Sequence, residues 1–334
     1  ANNTVTGSTE YTVIGNKLKM KNSEWSTMIG RESEMENASM GLSVGVYNKV
    51  KGFDAIAIGN HNEVDGTNED NSRNWISVAV GSGCTAKSHG DGEAVAMGVN
   101  AEAIGQDAVA FGNLAKAHGY HAVAIGTQAM ALAGGSTAIG GETRVYGGDS
   151  LGIGSTTTNV YGKYSIGINA WTVRGDYVIG IGGETYADDA IAIGKFSTTN
   201  VKGGIALGKE SKANIDKGVL GWDPATMSIN PKHSGWSVWE STAGAVSIGN
   251  DRYKRQINNV AAGTSSDDAV NVAQLRSLAE VVHGNNIVAG SINDDGTITL
   301  KKKDGSKVNL KGKMKDNSVQ PGEYDISTDN KVTL

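Results

Sequence analysis

The sequence predicts an all-β fold, a parallel β-roll solenoid with 14-residue repeats, and three observations predict it. Short apolar runs ending in glycine recur along most of the chain, among them AIAIG at 55–59, AVAFG at 108–112, AVAIG at 122–126 and AIAIG at 190–194. Gly98, Gly112, Gly126, Gly140 and Gly154 follow one another at intervals of 14 residues, as do Gly194 and Gly208, and so short a fixed period is the signature of a solenoid. The composition agrees: 47 of 334 residues are glycine, 38% are hydrophobic and 6% aromatic, which is lean for one large globular core and fits a repetitive fold with a thin one.

Each repeat reads as two short strands and two turns. In AVAIG at 122–126, strand alternation sends Val123 and Ile125 to one face and Ala122 and Ala124 to the other. Both faces are apolar, as in a strand buried on both sides. The expectation is that the large residues fill the thin core of the coil while the alanines let another backbone approach. The second half of the repeat, NLAKAHG at 113–119, puts Ala115 and Ala117 in step with Ala101, Ala103, Ala129 and Ala131, with Glu102, Lys116 and Met130 pointing outward between them. The closing glycine supplies the permissive backbone that a sharp corner needs. Stacked turns pair at about 4.8 Å, so roughly 16 turns would extend on the order of 75 Å.

An outward apolar stripe on every turn demands partners, because contiguous exposed apolar surface marks an interface. Several chains are expected to associate laterally. After the repeats, DDAVNVAQLRSL at 267–278 reads as an amphipathic helix, in which Val272, Leu275, Leu278 and Val282 form the spacing of a short coiled-coil seam. It would gather the chains where the coils end. Further on, TITL at 297–300 and KVNL at 307–310 flank the turn KKKDGS as a β-hairpin.

The repeats resemble the head of the trimeric autotransporter adhesins, the YadA-like family, whose head repeat reads like SVAIG followed by a Gly/Ala-rich half. RQINNVAAGTSSDDAVNVAQL at 255–275 resembles the family's neck. The resemblance implies a homotrimer of left-handed parallel β-rolls, a neck in which chains cross over, a stalk, and adhesion to host cells or matrix at the Gram-negative cell surface. The domains expected are a β-roll head over 1–254, a neck over 255–271, a short coiled-coil helix over 272–284 and a small β-rich stalk module over 285–334. The strands that anchor the family in the outer membrane have no counterpart here, so a truncated passenger fragment is expected, with membrane contact only through that anchor. Matrix proteins such as collagen, or receptors of the carcinoembryonic-antigen-related (CEACAM-like) group, are the partners the resemblance implies.

Departures from the repeat locate the candidate contacts. The Gly59 to Gly81 interval stretches to 22 residues, so a polar loop is expected to protrude there, and Asn60, Asn68, Arg73 and Trp75 are the first candidates for receptor contact. Tyr146, Tyr161, Tyr164, Trp171 and Tyr177 form a second aromatic enrichment over successive turns. From 209 to 244 the near-14 spacing of Gly221, Gly235 and Gly249 predicts that the coil register survives, with Trp222, Trp236 and Trp239 sealing the end of the head.

Other chemistries find little support. A net charge of -5 and the lack of a basic stripe with interleaved aromatics exclude nucleic acid as a partner. The six histidines are scattered and Cys84 is alone, so no metal site, cofactor or disulfide is expected. Asp267 and Asp268 read as helix caps and not as a catalytic pair; Asp65, Glu69 and Asp70 read as a solvated loop and Lys301–Lys303 as a solvated hairpin tip. No enzyme is expected: acyltransferase β-helices coil with a period near 18, and an ice-binding rod needs aligned threonine rows. A structural spacer or phage-type fibre is the alternative to the adhesin. No apolar run approaches the roughly 20 residues of a membrane span, and ANNTVTGSTEY is not a signal peptide.

Overall fold

The computed structural model describes residues 2–67, 76–88, 92–155, 157–231, 238–293 and 297–310, and the backbone of 322–325. The chain divides into two compact units, Ala1–Arg255 and Gln256–Leu334.

The first unit is a parallel β-solenoid. Its strands alternate between two sheets of 15 strands each. The first sheet runs from Thr4–Thr6 to Lys212–Ala213, and the second from Thr12–Asn16 through Ile205–Leu207 to Val246–Ser247. Every pairing along both sheets is parallel and in register, for example Val109↔Val123, Ala110↔Ala124 and Phe111↔Ile125. Fifteen strands per sheet fall slightly short of the 16 turns expected.

The two sheets enclose a core that holds Leu18, Met20, Met28 and Met35 in the first coils and alanine, glycine, serine and valine farther along, which in the central coils reverses the expected faces. Ala122 and Ala124 are fully buried, whereas Ile125 is 38% exposed on the outside and Val123 also lies on the outward face. With strands only two or three residues long in the central coils, the space between the sheets takes one small side chain from each. Bulk therefore has to point out. Within that space the two sheets compensate for each other: Ala117 and Ala131 sit in the first sheet where Ala124 and Ala138 line the second, while Val145, Val160 and Val173 appear where the second sheet carries Gly152, Gly167 and Gly180.

Corners hold the coil by repeated local bonding. Asn62 N–H donates to Asn48 Oδ1 (3.1 Å) and Cys84 N–H to Asn62 Oδ1 (3.0 Å), a buried ladder one coil per step. Gly81 shows why glycine closes the strand: its φ is +137°, and a Cβ there would lie 1.8 Å from Gly98 O, a position that no other residue fits.

Two more expectations change. Residues 60–66 do not leave the coil, because Glu63–Asp65 pairs with Lys49–Lys51 and with Thr85–Lys87. Asn60 ends a second-sheet strand opposite Val46 and Ser82. Register is also lost, not kept, after Lys212–Ala213. The next second-sheet pairing is Ile205↔Val246, so the described residues between Ala213 and Val246 form an excursion in which Trp222–Asp223 pairs antiparallel with Ser228–Ile229. The glycine spacing there is coincidental: WDPATMS lacks the buried small residue between two outward ones, and Pro224 has no N–H for a ladder.

In the second unit, the helix α1 spans Val272–Gly284, starting at the first seam residue and leaving residues 267–271 of the stretch read as helix before its first turn. Asn271 is its N-cap, in a reciprocal capping box with Gln274. Asp268 instead closes the preceding turn, accepting from the N–H groups of Thr264 (2.8 Å) and Ser265 (3.0 Å); these bonds hold its carboxyl below the usual carboxylate range. Strands Ile298–Lys302 and Lys307–Leu310 pair as the expected hairpin within a four-stranded antiparallel sheet.

Candidate binding surfaces

Reversing the faces places an apolar column on the outside of the second sheet. Ile14, Ile29, Ile58, Phe111, Ile125, Ile181, Ile193 and Leu207 are all exposed, one per coil in register. Isolated exposed apolar residues are ordinary, but a continuous column is a surface that expects a cover.

The outer face of the first sheet is polar and laced by charge. Its strands carry Lys19 and Lys21, then Glu34 and Glu36, then Lys49 and Lys51, then Glu63 and Asp65 in register. Opposite signs alternate along both columns. Lys19–Glu34 (2.6 Å), Lys21–Glu36 (2.7 Å), Lys87–Glu63 (2.9 Å) and Lys116–Glu102 (2.9 Å) pair across coils. Glu102 also meets His118 Nε2 at 2.9 Å. Burial raises its carboxyl, and the bonds from Lys116 and His118 outweigh that, so its pKa ends below the ordinary value.

Farther along, the same sheet turns aromatic at the corner that follows each of its strands. Tyr146 and Tyr161 stack at 4.9 Å with planes 4° apart, and Tyr164 and Tyr177 stack at 5.0 Å and 15°. Arg174 lies one coil on, with Cζ 5.3 Å from the Tyr161 ring centre. Tyr186 follows, its hydroxyl donating to Glu184. This bond raises the Tyr186 pKa above its ordinary value. Four of the five aromatics singled out in the sequence therefore share one corner. Trp171, 69% exposed, precedes the Thr172–Val173 strand at the opposite corner. Arg174 and Tyr186 escape a search for aromatic density, and the signal that finds them is the register of Asn159 with Thr172 and of Val173 with Thr185.

Of the loop candidates, Asn60 lies in the coil, its Oδ1 2.8 Å from His61 Nδ1. Asn68, Arg73 and Trp75 lie outside the described residues, as do Glu69, Asp70 and Trp236. Trp222 is exposed, and Trp239 O accepts from Gly221 N–H at 2.7 Å within the excursion. The seam residues Val272, Leu275, Leu278 and Val282 are all exposed on α1, and no residue of that helix is buried.

Residues 93–115, 117–143 and 186–214 match the model of the YadA head domain repeat, and residues 256–298 match that of the coiled stalk of trimeric autotransporter adhesin. Coil repeats with these outward columns, followed in the chain by the stalk segment, support a YadA-like trimeric autotransporter adhesin. Among relatives of this YadA-like chain, the autotransporter adhesin BadA of Bartonella henselae is 39% identical over 119 residues, covering 33% of this chain and 4% of that protein. The chain thus corresponds to a small fraction of that relative's length. Two solved structures are similar. The collagen-binding domain of the Yersinia adhesin YadA has 25% identity and a TM-score of 0.26, covering 55% of this chain and 84% of that one. The C-terminal YadA-like domain of a Burkholderia pseudomallei protein has 23% identity and a TM-score of 0.22, covering 39% and 50%. The adhesin family models and the BadA relative point to a structural and binding role.

Proposed function

We propose that this chain is part of a homotrimeric adhesin on the Gram-negative cell surface, held in the outer membrane by the family's anchor and binding host protein through its head. The observation that carries the reading is the apolar column from Ile14 to Leu207: a soluble head needs it covered, and two further copies in the same orientation cover it along its full length. The exposed seam of α1 asks for the same parallel partners. In this reading the head is 1–254, the neck 255–271, the coiled-coil helix 272–284 and the β-rich stalk module 285–334.

With the apolar face turned inward, the charge-laced and aromatic faces of the first sheet remain available to a host partner. A matrix protein such as collagen, or a cell-surface receptor of the carcinoembryonic-antigen-related group, is the partner proposed; the Asn60–Trp75 segment and the tyrosine corner are the surfaces proposed to meet it. The test is light scattering of the purified chain together with binding to immobilised matrix proteins and receptor ectodomains. A mass of three chains with saturable binding supports the reading. A stable monomer sinks the assembly, and a trimer that binds neither hosts nor matrix reduces the chain to a spacer.

A further inference from the structure

The lysines of the hairpin in the second unit divide into one that holds the fold and two that do not. Lys302 Nζ donates to Asn285 Oδ1 at the C-cap of α1 (2.8 Å). The hairpin tip is tied to the same end of the helix, by Lys303 N–H to Asn286 O (2.8 Å) and Asp304 N–H to Gly284 O (3.1 Å). Asp304, the one acid between Ile298 and Leu310, turns its carboxylate to Ser306, accepting from its N–H (2.8 Å) and its hydroxyl (2.7 Å). Lys301 and Lys307 remain, directly opposite each other on neighbouring antiparallel strands and both exposed. None of the ion pairs among the described residues includes either.

Like charges set directly opposite each other destabilise a sheet. On the first sheet of the head the chain avoids this: Lys19, Lys21, Lys51, Lys87 and Lys116 each have a carboxylate of a neighbouring coil within 3.7 Å. A lysine on an edge strand discourages edge pairing, which accounts for Lys307, but Lys301 lies one strand further in. The face they share is otherwise neutral around them. Thr299 Oγ1 donates to Asn309 Oδ1 (2.8 Å) in the adjacent cross-strand pair, with Ser291 beyond Thr299. The acidic positions Glu323 and Asp325 stand on the opposite edge strand, with Ala289 between Asp325 and Lys301. Ile292, Ile298, Leu300, Val308 and Leu310 occupy the other face, so the lysine face is the one left to solvent.

We propose that Lys301 and Lys307 bind a sulfated linear polysaccharide across this hairpin, with Thr299 and Asn309 meeting the sugar hydroxyls. Residues directly opposite in an antiparallel pair have Cα atoms about 4.5–5.5 Å apart, so the two ammonium groups reach one sulfate together or two on neighbouring sugars. The bound anion removes the repulsion that the free hairpin carries. A cluster of basic residues answers to heparin-like and to nucleic-acid polyanions alike, and the neighbours decide between them: single-stranded nucleic acid is held by rings on which its bases stack, and the described residues of this face offer hydroxyl and amide groups instead. A trimer repeats the site three times, so a polymer long enough to reach two copies gains avidity. The site lies within Gln256–Leu334 and does not rest on what the head binds.

The test titrates the intact chain with heparin oligosaccharides of defined length, with the same oligosaccharides after desulfation, with inorganic polyphosphate and with single- and double-stranded DNA, at low and at physiological salt. The sulfated oligosaccharide is expected to bind, less tightly as salt rises. Lys301→Gln combined with Lys307→Gln is expected to weaken that binding about tenfold or more, whereas Lys19→Gln combined with Lys21→Gln, an equal loss of charge from paired lysines of the head, leaves it unchanged. Lys301→Glu supplies a second readout: it sets opposite charges across the strands, so it should raise the melting temperature while abolishing binding. Heparin binding that survives the double substitution in the hairpin overturns the inference, as does equal uptake of the desulfated oligosaccharide or a melting temperature lowered by Lys301→Glu. DNA or polyphosphate held as tightly as heparin overturns the ligand class. A trimer that binds host protein but no sulfated oligosaccharide removes this site and leaves the adhesin reading standing, whereas sulfated-oligosaccharide binding without any host-protein binding does the reverse.

Discussion

Gly152 and Val145 face one another across the interior of the coil: a Cβ added to Gly152 would lie 2.7 Å from Val145 Cγ2. Gly152 stands in register with Ala138 and with Gly167, and Val145 with Ala131 and Val160. In these central coils the core thus keeps a nearly constant content by two solutions, alanine against alanine or glycine against valine. Gly152 has no positive φ, so packing alone requires it.

Gly152→Ala is expected to destabilise the head by about 1–3 kcal/mol through overpacking. Val145→Ala alone should also cost stability by leaving a cavity. The double variant removes the Val145 contact and should recover part of the loss, giving a favourable coupling in a double-mutant cycle, while Thr143 Cγ2, 2.9 Å from the added Cβ, still crowds it. Denaturant melts of the three variants measure this, and simple additivity would show that the two side chains do not share the space.

The same pair explains what could be read from the sequence. Period, strand pairing, the small-residue columns, the hairpin at 298–310 and the family resemblance were all legible, because each depends on local spacing. The direction of the faces was not. Alternation says that Ala124 and Ile125 point opposite ways, and ordinary experience of cores assigns the larger one to the inside. The contrary signal lay in comparing columns across coils: the position of Ala124 holds alanine or glycine from Ala57 to Ala206, whereas that of Ile125 accepts Val80, Met97 and Phe111. Only an enclosed position is so intolerant of size. The excursion before Val246 was hidden for a related reason, since glycine spacing survived there while the alternation did not.

Ile125→Asp should therefore leave the single-chain coil folded and weaken lateral association, because the change removes apolar surface from the outer column. Ala124→Asp places a charge in the interior and should cost several kcal/mol. Scattering and thermal melts distinguish the two. Equal loss of folding in both variants would contradict the assignment of faces.

The alternating charge columns predict a pH window. Bonds from Lys21 hold the Glu36 carboxyl below its ordinary value of 4.5, and a bond from the Tyr47 hydroxyl, supported by Lys17, does the same for Glu32. A depressed carboxylate contributes stability that is present above 4.5 and lost as pH falls below it. Lys19 is raised above its ordinary 10.5 by its bond and charge interaction with Glu34, so its contribution is present below 10.5 and lost as pH rises beyond it. The melting temperature should form a plateau between these limits. Lys19 and Glu36 are exposed and Glu32 is half-buried, so molar salt, with a Debye length of about 3 Å, should flatten both limbs, the Glu32 contribution least. Glu36→Gln should reduce the acid limb alone. A profile indifferent to salt would assign the limbs to buried groups.

The cap of α1 is the last device to test. A helix of 13 residues is marginal in water by itself, and none of this one is buried, so its ends and its seam must sustain it. Asn271 Oδ1 accepts from Gln274 N–H at 3.1 Å, while Gln274 Oε1 accepts from Asn271 N–H at 3.2 Å. Gln274 also ties the preceding segment to the helix through two bonds with Gly263, at 3.1 and 3.0 Å. Asn271→Ala is expected to cost about 0.5–2 kcal/mol of helix stability, and Gln274→Ala to cost more because it releases Gly263 as well. Leu275→Asp acts differently: it keeps the cap but puts a charge in the proposed seam, and should disperse the chains before it melts the helix. Circular dichroism and scattering followed through the same thermal ramp separate the two effects. Loss of helix and of association together in all three variants would mean that the helix exists only within the assembled trimer, whereas helix loss confined to the cap variants would make the capping box the element on which the seam is built.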